Sequence, residues 1–587
     1  MKRLLMLLGS LIILVPVNAQ KIWITGAVED SISHNPLSGV IVEVINDTIK
    51  VTTNQYGLFR IAVPSRDAVL LFRHNKYRPK QVAVGTYNRI LVDMDTQDGT
   101  DDPISKAKAI ARERFSHSSN PYYGNSSMGI RAFFDETYGT LYENKFIETA
   151  VKATSIFAVD VDRAAYSNIR RFIHLKERIP VDAVRIEEMV NYFHYHYPLP
   201  PPGKKLAISS SYAGCPWQPA HELLQIVVRS EAVNIDSLPP SNLVFLIDVS
   251  GSMGTPNKLP LLQAAFRILV NNLRKNDHVA IVAYAGTPGV VLPSTPGNQK
   301  DKILNAIDYL SAGGATAGEA AIKLAYQIAE ENFIKEGNNR VIMATDGDFN
   351  VGQTSDQDME QLILGKKETG VLLTCLGFGM KDYKDSKLET LSRKGNGNFA
   401  YIDNLEEASK IFAREFGSTL FTVAKDVRAD VAFNPARVKS YRLIGYENKV
   451  IKDEATNSDK ISGGIIGAGH CAVAIYEIIP VAGATVAGSP LAEVALQYRE
   501  PADTVLHTIN YEVPGVPVSF SDATSDFRFS SAVALLGMLL RKSAYKGNGS
   551  GKMVLELAKK SISDDPGGYR KELLKLVKEL KKSGRLE

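Results

Sequence analysis

Between residues 241 and 420, apolar runs short enough for buried strands alternate with amphipathic stretches long enough for helices, and this alternation constrains the fold more than any other feature of the chain. Leu243-Val244-Phe245-Leu246-Ile247 is unbroken and apolar, as a strand covered on both faces must be. Apolar residues then recur at 262, 265, 266, 269, 270 and 273, the stripe of a helix over Leu259–Leu273. Further strands are expected over His278–Ala285, Arg340–Thr345, Val371–Phe378 and Phe399–Ile402. Helices are expected over Lys302–Leu310, Glu319–Glu331, Asp356–Thr369, Lys387–Lys394 and Glu406–Phe416. Strands joined through helices imply right-handed crossovers, so the expected fold class is α/β, a doubly wound, mostly parallel sheet. Such sheets bind ligands outside the carboxyl ends of their strands, at the point where the strand order reverses. No G-x-G-x-x-G is present, and Gly313-Gly314 lacks a following Lys-Ser/Thr, which disfavours a nucleotide ligand.

The strand at 243–247 closes on Asp248-Val249-Ser250-Gly251-Ser252, one carboxylate and two hydroxyls at a sheet edge. These are hard oxygen donors, suited to Mg²⁺ or Mn²⁺ and poor for soft metals. Ser311-Ala312-Gly313-Gly314-Ala315-Thr316 adds a hydroxyl on a Gly-rich loop, and the apolar strand from Val341 ends in Asp346 and Asp348. In this order the residues resemble a von Willebrand factor A domain with a metal-ion-dependent adhesion site. The family's D-x-S-x-S, Thr and Asp map onto Asp248, Ser250, Ser252, Thr316 and Asp346. The resemblance implies a Rossmann-like fold and one Mg²⁺ or Mn²⁺ held by these five residues, with Gly314 and Asp348 at the partner-binding edge. It further implies that an acidic side chain of a partner completes the coordination, so that the site captures carboxylates and performs no hydrolysis. Ala315 departs from the pattern, since many relatives carry Ser there; a loop hydroxyl is lost, but Thr316 remains. The residues taken alone also allow plain loop and cap roles with no metal.

Residues 20–95 alternate apolar and polar positions between turn signals, as in a small antiparallel β-sandwich. Gly26-Ala27-Val28-Glu29-Asp30, Pro36 to Val40, Thr52-Thr53-Asn54 and Gly57-Leu58-Phe59 resemble a carboxypeptidase-regulatory-like domain, a non-catalytic spacer on bacterial surface proteins. Residues 96–150 read as a linker. Residues 151–240 and 421–587 resemble the segment preceding the adhesion domain, and the C-terminal domain of unknown function following it, in one bacterial family. The C-terminal region is β-rich and then helical. Because the ends of an α/β domain lie close together, the two β-rich flanks are expected to form one composite β-domain. Asp160 and Asp162 share a strand face and could bind a cation, but are expected instead to be solvated or paired with Arg170 or Arg171. His194-Tyr195-His196 reads as a packed aromatic corner rather than a metal pair.

Lys2-Arg3, the apolar Leu4–Val15 and Val17-Asn18-Ala19 read as a signal peptide over 1–19, with a retained anchor as the alternative. The protein is then exported, to the periplasm, the cell envelope or the medium, with no transmembrane span after signal removal. A net charge of +4 without a Lys/Arg block among aromatics leaves no nucleic-acid footprint. Cys375 lies on an expected central strand, whereas Cys215 and Cys471 border the adhesion domain, where an oxidising compartment would let them pair. His470-Cys471 is the one hint of a nucleophile, but neighbours on a strand face opposite ways. No His lies in the three site loops to act as a base. The reading is a divalent-metal-dependent interaction or adhesion module whose partner is another envelope or surface protein. An envelope hydrolase using the metal or a Cys–His pair is the alternative.

Overall fold

The structure is a computed structural model. It describes residues 22–95 except 31–36, 55–56 and 86–88, and residues 138–586 except 139, 160–161, 233–237, 286, 314–317, 348–355, 368, 380–384, 416–420, 448, 450–462, 484–488, 502–504, 563–564 and 566. The expected signal peptide, most of the linker, Asp160, Gly314, Ala315, Thr316 and Asp348 therefore lie outside the described residues. The chain divides into two compact units, Met1–Gly129 and Ile130–Glu587.

In the first unit, β1 (Ile22–Asp30), β2 (Ile41–Val44), β3 (Lys50–Thr52), β4 (Leu58–Val63), β5 (Val69–His74), β6 (Tyr77–Ala83) and β7 (Arg89–Met94) form two sheets, β4-β1-β7 and β3-β2-β5-β6. Ile24, Val28, Val42, Phe59, Ile61, Leu70 and Phe72 pack into one core. The expectation of a wholly antiparallel sandwich needs correcting, because β1 and β7 run parallel. The chain reaches β7 from β6 in the other sheet, and such a crossover can deliver a strand in either direction.

The second unit begins with β8 (Ile147–Glu148), β9 (Thr154–Ala158), β10 (Leu206–Gly214) and β11 (Glu222–Ser230). An α/β region follows, with strands β12 (Ser241–Asp248), β13 (His278–Ala285), β14 (Thr287–Pro296), β15 (Asn338–Thr345), β16 (Leu372–Phe378) and β17 (Phe399–Ile402). Their order is β14-β13-β12-β15-β16-β17, parallel throughout except for β14. β14 is a strand that the sequence pattern did not announce, since Pro288, Pro293 and Pro296 read as loop. Proline is tolerated on an edge strand, where an outward backbone position needs no donor. Alternate residues of β12 serve opposite faces: Leu243, Phe245 and Ile247 pack in one core, Val244 and Leu246 in the other. The helix Leu259–Asn271 buries the expected Leu262, Ala265, Phe266, Leu269 and Val270.

The chain then returns to the flank through β18 (Thr422–Phe433), β19 (Val438–Ile444), β20 (Gly464–Gly467), β21 (Cys471–Pro480), β22 (Ala492–Arg499) and β23 (His507–Val513). β21 inserts between β11 and β19, and β9 pairs with β18. The two flanks thus build shared sheets, as their sequences suggest. β11 shows why its run is apolar: Leu224, Ile226 and Val228 enter the core between the sheets, while Leu223 and Val227 face the helical layer. That layer holds the helices Ala164–His174, Ile186–Asn191, Ser525–Arg541, Gly551–Lys559 and Tyr569–Lys582.

Buried charge stitches the regions together. Arg170 donates to Asp403 Oδ2 at 2.9 Å, to Glu407 Oε2 at 2.7 Å, and to the Tyr192 hydroxyl and Glu572 Oε2, both at 3.1 Å. Asp162 is buried too, and not on a solvated face. It accepts the Phe399 N–H at 3.0 Å and pairs with Lys449 at 3.4 Å, because Arg170 is already committed to Asp403 and Glu407. Cys215, Cys375 and Cys471 are all free and buried, so the possible Cys215–Cys471 bond is absent. Both thiols belong to the same apolar core, where burial pushes each up to about 12, so neither is a ready thiolate.

Candidate functional site

The sheet order reverses at β12 and β15: the chain leaves β12 toward β13 on one side, and the later strands add on the other. Asp248 is the last residue of β12, and Asp346 follows the last residue of β15, so both carboxylates stand at the carboxyl edge of this switch point. Neither is exposed to solvent. Asp248 Oδ1 accepts the Ser250 N–H at 2.9 Å, and Oδ2 accepts the Thr345 hydroxyl at 3.0 Å. Ser250 Oγ and Ser252 Oγ lie 3.1 Å apart, with Ser252 exposed and Ser250 buried beneath it. The turn that brings them together is a short 3₁₀ segment, Gly251–Gly254, closed by the Met253 N–H on the Ser250 carbonyl. The Gly-rich loop approaches from the side, the Gly313 N–H donating to the Val249 carbonyl at 2.7 Å.

Burial, then the neighbouring Asp346, pushes the Asp248 carboxyl up to about 6. Two carboxylates sharing a dry edge need a cation. Lys258 provides one, its Nζ 2.7 Å from Asp346 Oδ2. Thr345 is a hub beneath the pair: its oxygen also accepts the Gly347 N–H at 3.1 Å.

Of the expected site residues, Asp248, Ser250, Ser252 and Asp346 converge at this one edge. Thr316, Gly314 and Asp348 fall outside the described residues, although 311–313 lead toward the site. Thr345 and Lys258 escaped the sequence reading. Thr345 directly precedes Asp346 and so carried a signal of position. Lys258 carried none, since a lysine just before an amphipathic helix normally faces water. Among the described residues no cluster of three or more His, Cys, Asp and Glu side chains is poised for a metal. A site of two carboxylates and two hydroxyls relies instead on hard oxygens, the donor set that Mg²⁺ and Mn²⁺ favour, and these residues fit such an ion.

His470 and Cys471 do not cooperate. His470 contacts Arg163, while Cys471 lies in the apolar core. His194 and His196 have exposed rings 5.3 Å apart, flanking the buried Tyr195.

Residues 242–414 match the von Willebrand factor type A domain family, so the α/β region is a von Willebrand factor A domain, a common protein–protein interaction module. Residues 132–225 match the family described as von Willebrand factor, and residues 418–582 match the family described as uncharacterized protein YfbK, C-terminal. The uncharacterized protein YfbK of Escherichia coli (strain K12) is 37% identical over 466 residues, 75% of this chain and 80% of that protein. The chain belongs to this family of bacterial von Willebrand factor A proteins with a YfbK-type C-terminal domain. It is also 26% identical over 216 residues to the inter-alpha-trypsin inhibitor heavy chain H4 of Homo sapiens, covering 35% of this chain and 23% of that one. Among solved structures, von Willebrand factor type A from Catenulispora acidiphila aligns over 64% of this chain and 89% of its own, with 13% identity and a TM-score of 0.40.

Proposed function

We propose that the protein is a divalent-cation-dependent interaction protein of the cell envelope, which binds an acidic side chain of a partner at the edge formed by Asp248, Ser250, Ser252 and Asp346. The observation that carries this reading is the pair of fully buried carboxylates beside two hydroxyls 3.1 Å apart, at the switch point of a parallel sheet. When bound, Mg²⁺ or Mn²⁺ would supply an open coordination position for a carboxylate. The chain's own groups hold the oxygens ready: the Ser250 N–H and the Thr345 hydroxyl fix both oxygens of Asp248, and the 3₁₀ turn presents Ser252 outward. Thr316 belongs to the same ligand set on the family pattern, with Gly314 and Asp348 beside the partner.

The first 19 residues act as an export signal, and the N-terminal β unit as a spacer or second contact. Among the described residues no helix is long and apolar enough to cross a membrane. The partner is accordingly another envelope or surface protein. No catalytic role is proposed, and among the described residues no His adjoins the carboxylate pair.

The test is capture of partners from envelope extract on the full chain with Mg²⁺, with EDTA, and with Asp248→Ala. Proteins retained only with Mg²⁺ and only by the native chain are expected. Retention unaffected by EDTA would overturn the proposal.

A further inference from the structure

Lys258 is 5% exposed, an unusual burial for a lysine at the mouth of a site open to ligands. Its place is built by the backbone. It is the residue immediately before the helix Leu259–Asn271, and its N–H donates to the Thr255 carbonyl at 3.0 Å. Its stem crosses Gly379 just beyond β16, where φ is +87° and an added Cβ would lie 2.5 Å from the lysine's Cγ and Cε. A side chain at 379 would therefore close the groove in which the stem lies. The same loop, 248–258, thus delivers both the oxygen donors and an ammonium on the second carboxylate.

We propose that Lys258 is the resident counter-cation of this site, neutralising the buried carboxylates until a divalent cation displaces it from Asp346, so that cation and lysine compete for the same carboxylate. This rests on the cation reading above and deepens it. The charges decide the direction. Two carboxylates with one ammonium leave one negative charge, and two carboxylates with a divalent cation leave none. All three together leave an excess positive charge, with the ammonium facing the dication across a dry edge. The lysine therefore lowers cation affinity and keeps the metal-free protein folded. It also makes the site responsive: a partner's carboxylate that strengthens cation binding drives the ammonium out.

The experiment is calorimetric titration of the full chain with Mg²⁺ alone, in the native protein, in Lys258→Met and in Asp248→Ala. Met keeps the stem over Gly379 and removes the charge. Lys258→Met should bind Mg²⁺ on the order of ten- to a hundredfold more tightly than the native chain, a range set by removing one nearby unit charge, and Asp248→Ala should not bind. Equal or weaker binding by Lys258→Met overturns the competition while leaving the cation reading intact. Absence of binding by both the native chain and Lys258→Met overturns the cation reading and this inference together. Amine labelling of the native chain, read by mass spectrometry of the Lys258 peptide, gives an answer without any substitution. Labelling should rise when Mg²⁺ is added, and labelling indifferent to Mg²⁺ overturns the displacement.

Discussion

Replacing Arg170 by leucine should be among the most damaging single changes in the molecule. Arg170 is the meeting point of three segments distant in sequence: its own helix, the end of the α/β region through Asp403 and Glu407, and the last helix through Glu572. Leucine fills part of the volume but leaves the nearly buried Asp403 and Glu407 without the guanidinium that pairs both. Removing one partner of a buried ion cluster costs about 3–5 kcal/mol. The carboxyls can limit this loss by taking up a proton. Asp403 already stands at about 6, because burial outweighs the opposing pull of Arg170. Without the arginine its folded value rises further. A raised carboxyl contributes stability below its unfolded value and loses that contribution as pH climbs through the folded one. The cost of Arg170→Leu should therefore be largest near pH 8 and shrink toward pH 5, and Asp403→Asn in the same chain should recover part of it. Urea unfolding followed by the fluorescence of the fully buried Trp217 measures this directly. A cost below about 1 kcal/mol at pH 8, against the 3–5 expected for such a cluster, or an equal cost at the two pH values, would refute the reasoning.

Three further outcomes are expected. Thr345→Val keeps shape but removes the donor to Asp248 and the acceptor for Gly347, which should cost about 1–3 kcal/mol in urea unfolding and weaken Mg²⁺ binding in calorimetry. Deleting 421–587 strips β21 from β11 and β18 from β9, so the remainder should aggregate in light scattering; a well-behaved monomer with unchanged melting would contradict the shared sheets. Acid should destabilise the fold through His174, which burial and then Arg170 lower to about 4. With the folded value depressed, its contribution is complete above about pH 6.5 and fades toward pH 4, a loss of about 3 kcal/mol. His174→Gln should flatten that limb of the stability–pH curve, and an unchanged limb would show that other groups dominate it.

The α/β region was legible because strands such as β12 and β15 are buried along their whole length, while a helix such as Leu259–Asn271 buries one face, so continuous apolar runs contrast with a 3.6-residue stripe. β13 and β17 match their expected bounds. β14 was not legible, since its prolines are permitted only by an edge position that the sequence does not reveal. At the site, the oxygen donors could be read because their spacing on one loop is local. Lys258 could not, because its meaning depends on Asp346, 88 residues away. Asp162 and Arg170 were both picked out as charged partners, yet each pairs with residues more than 200 positions distant: Asp162 with Lys449, and Arg170 with Asp403. Buried ion pairs of this kind answer to tertiary geometry, which composition and periodicity do not encode.

The insertion of β21 beside β11 has a consequence for biosynthesis. Ser230 and His470, which hydrogen-bond where these strands meet, are 240 residues apart, and the whole von Willebrand factor A domain lies between them. At 5–20 residues per second, a ribosome takes on the order of 10–50 s to deliver the second strand after the first. During that interval the β10–β11 hairpin carries an unpaired edge and two apolar faces, the hazard that sheet proteins ordinarily cover. The intervening domain, with its local strand–helix contacts, can fold within this wait and bring the two ends together, so that it acts as a template for closing the sheet around it.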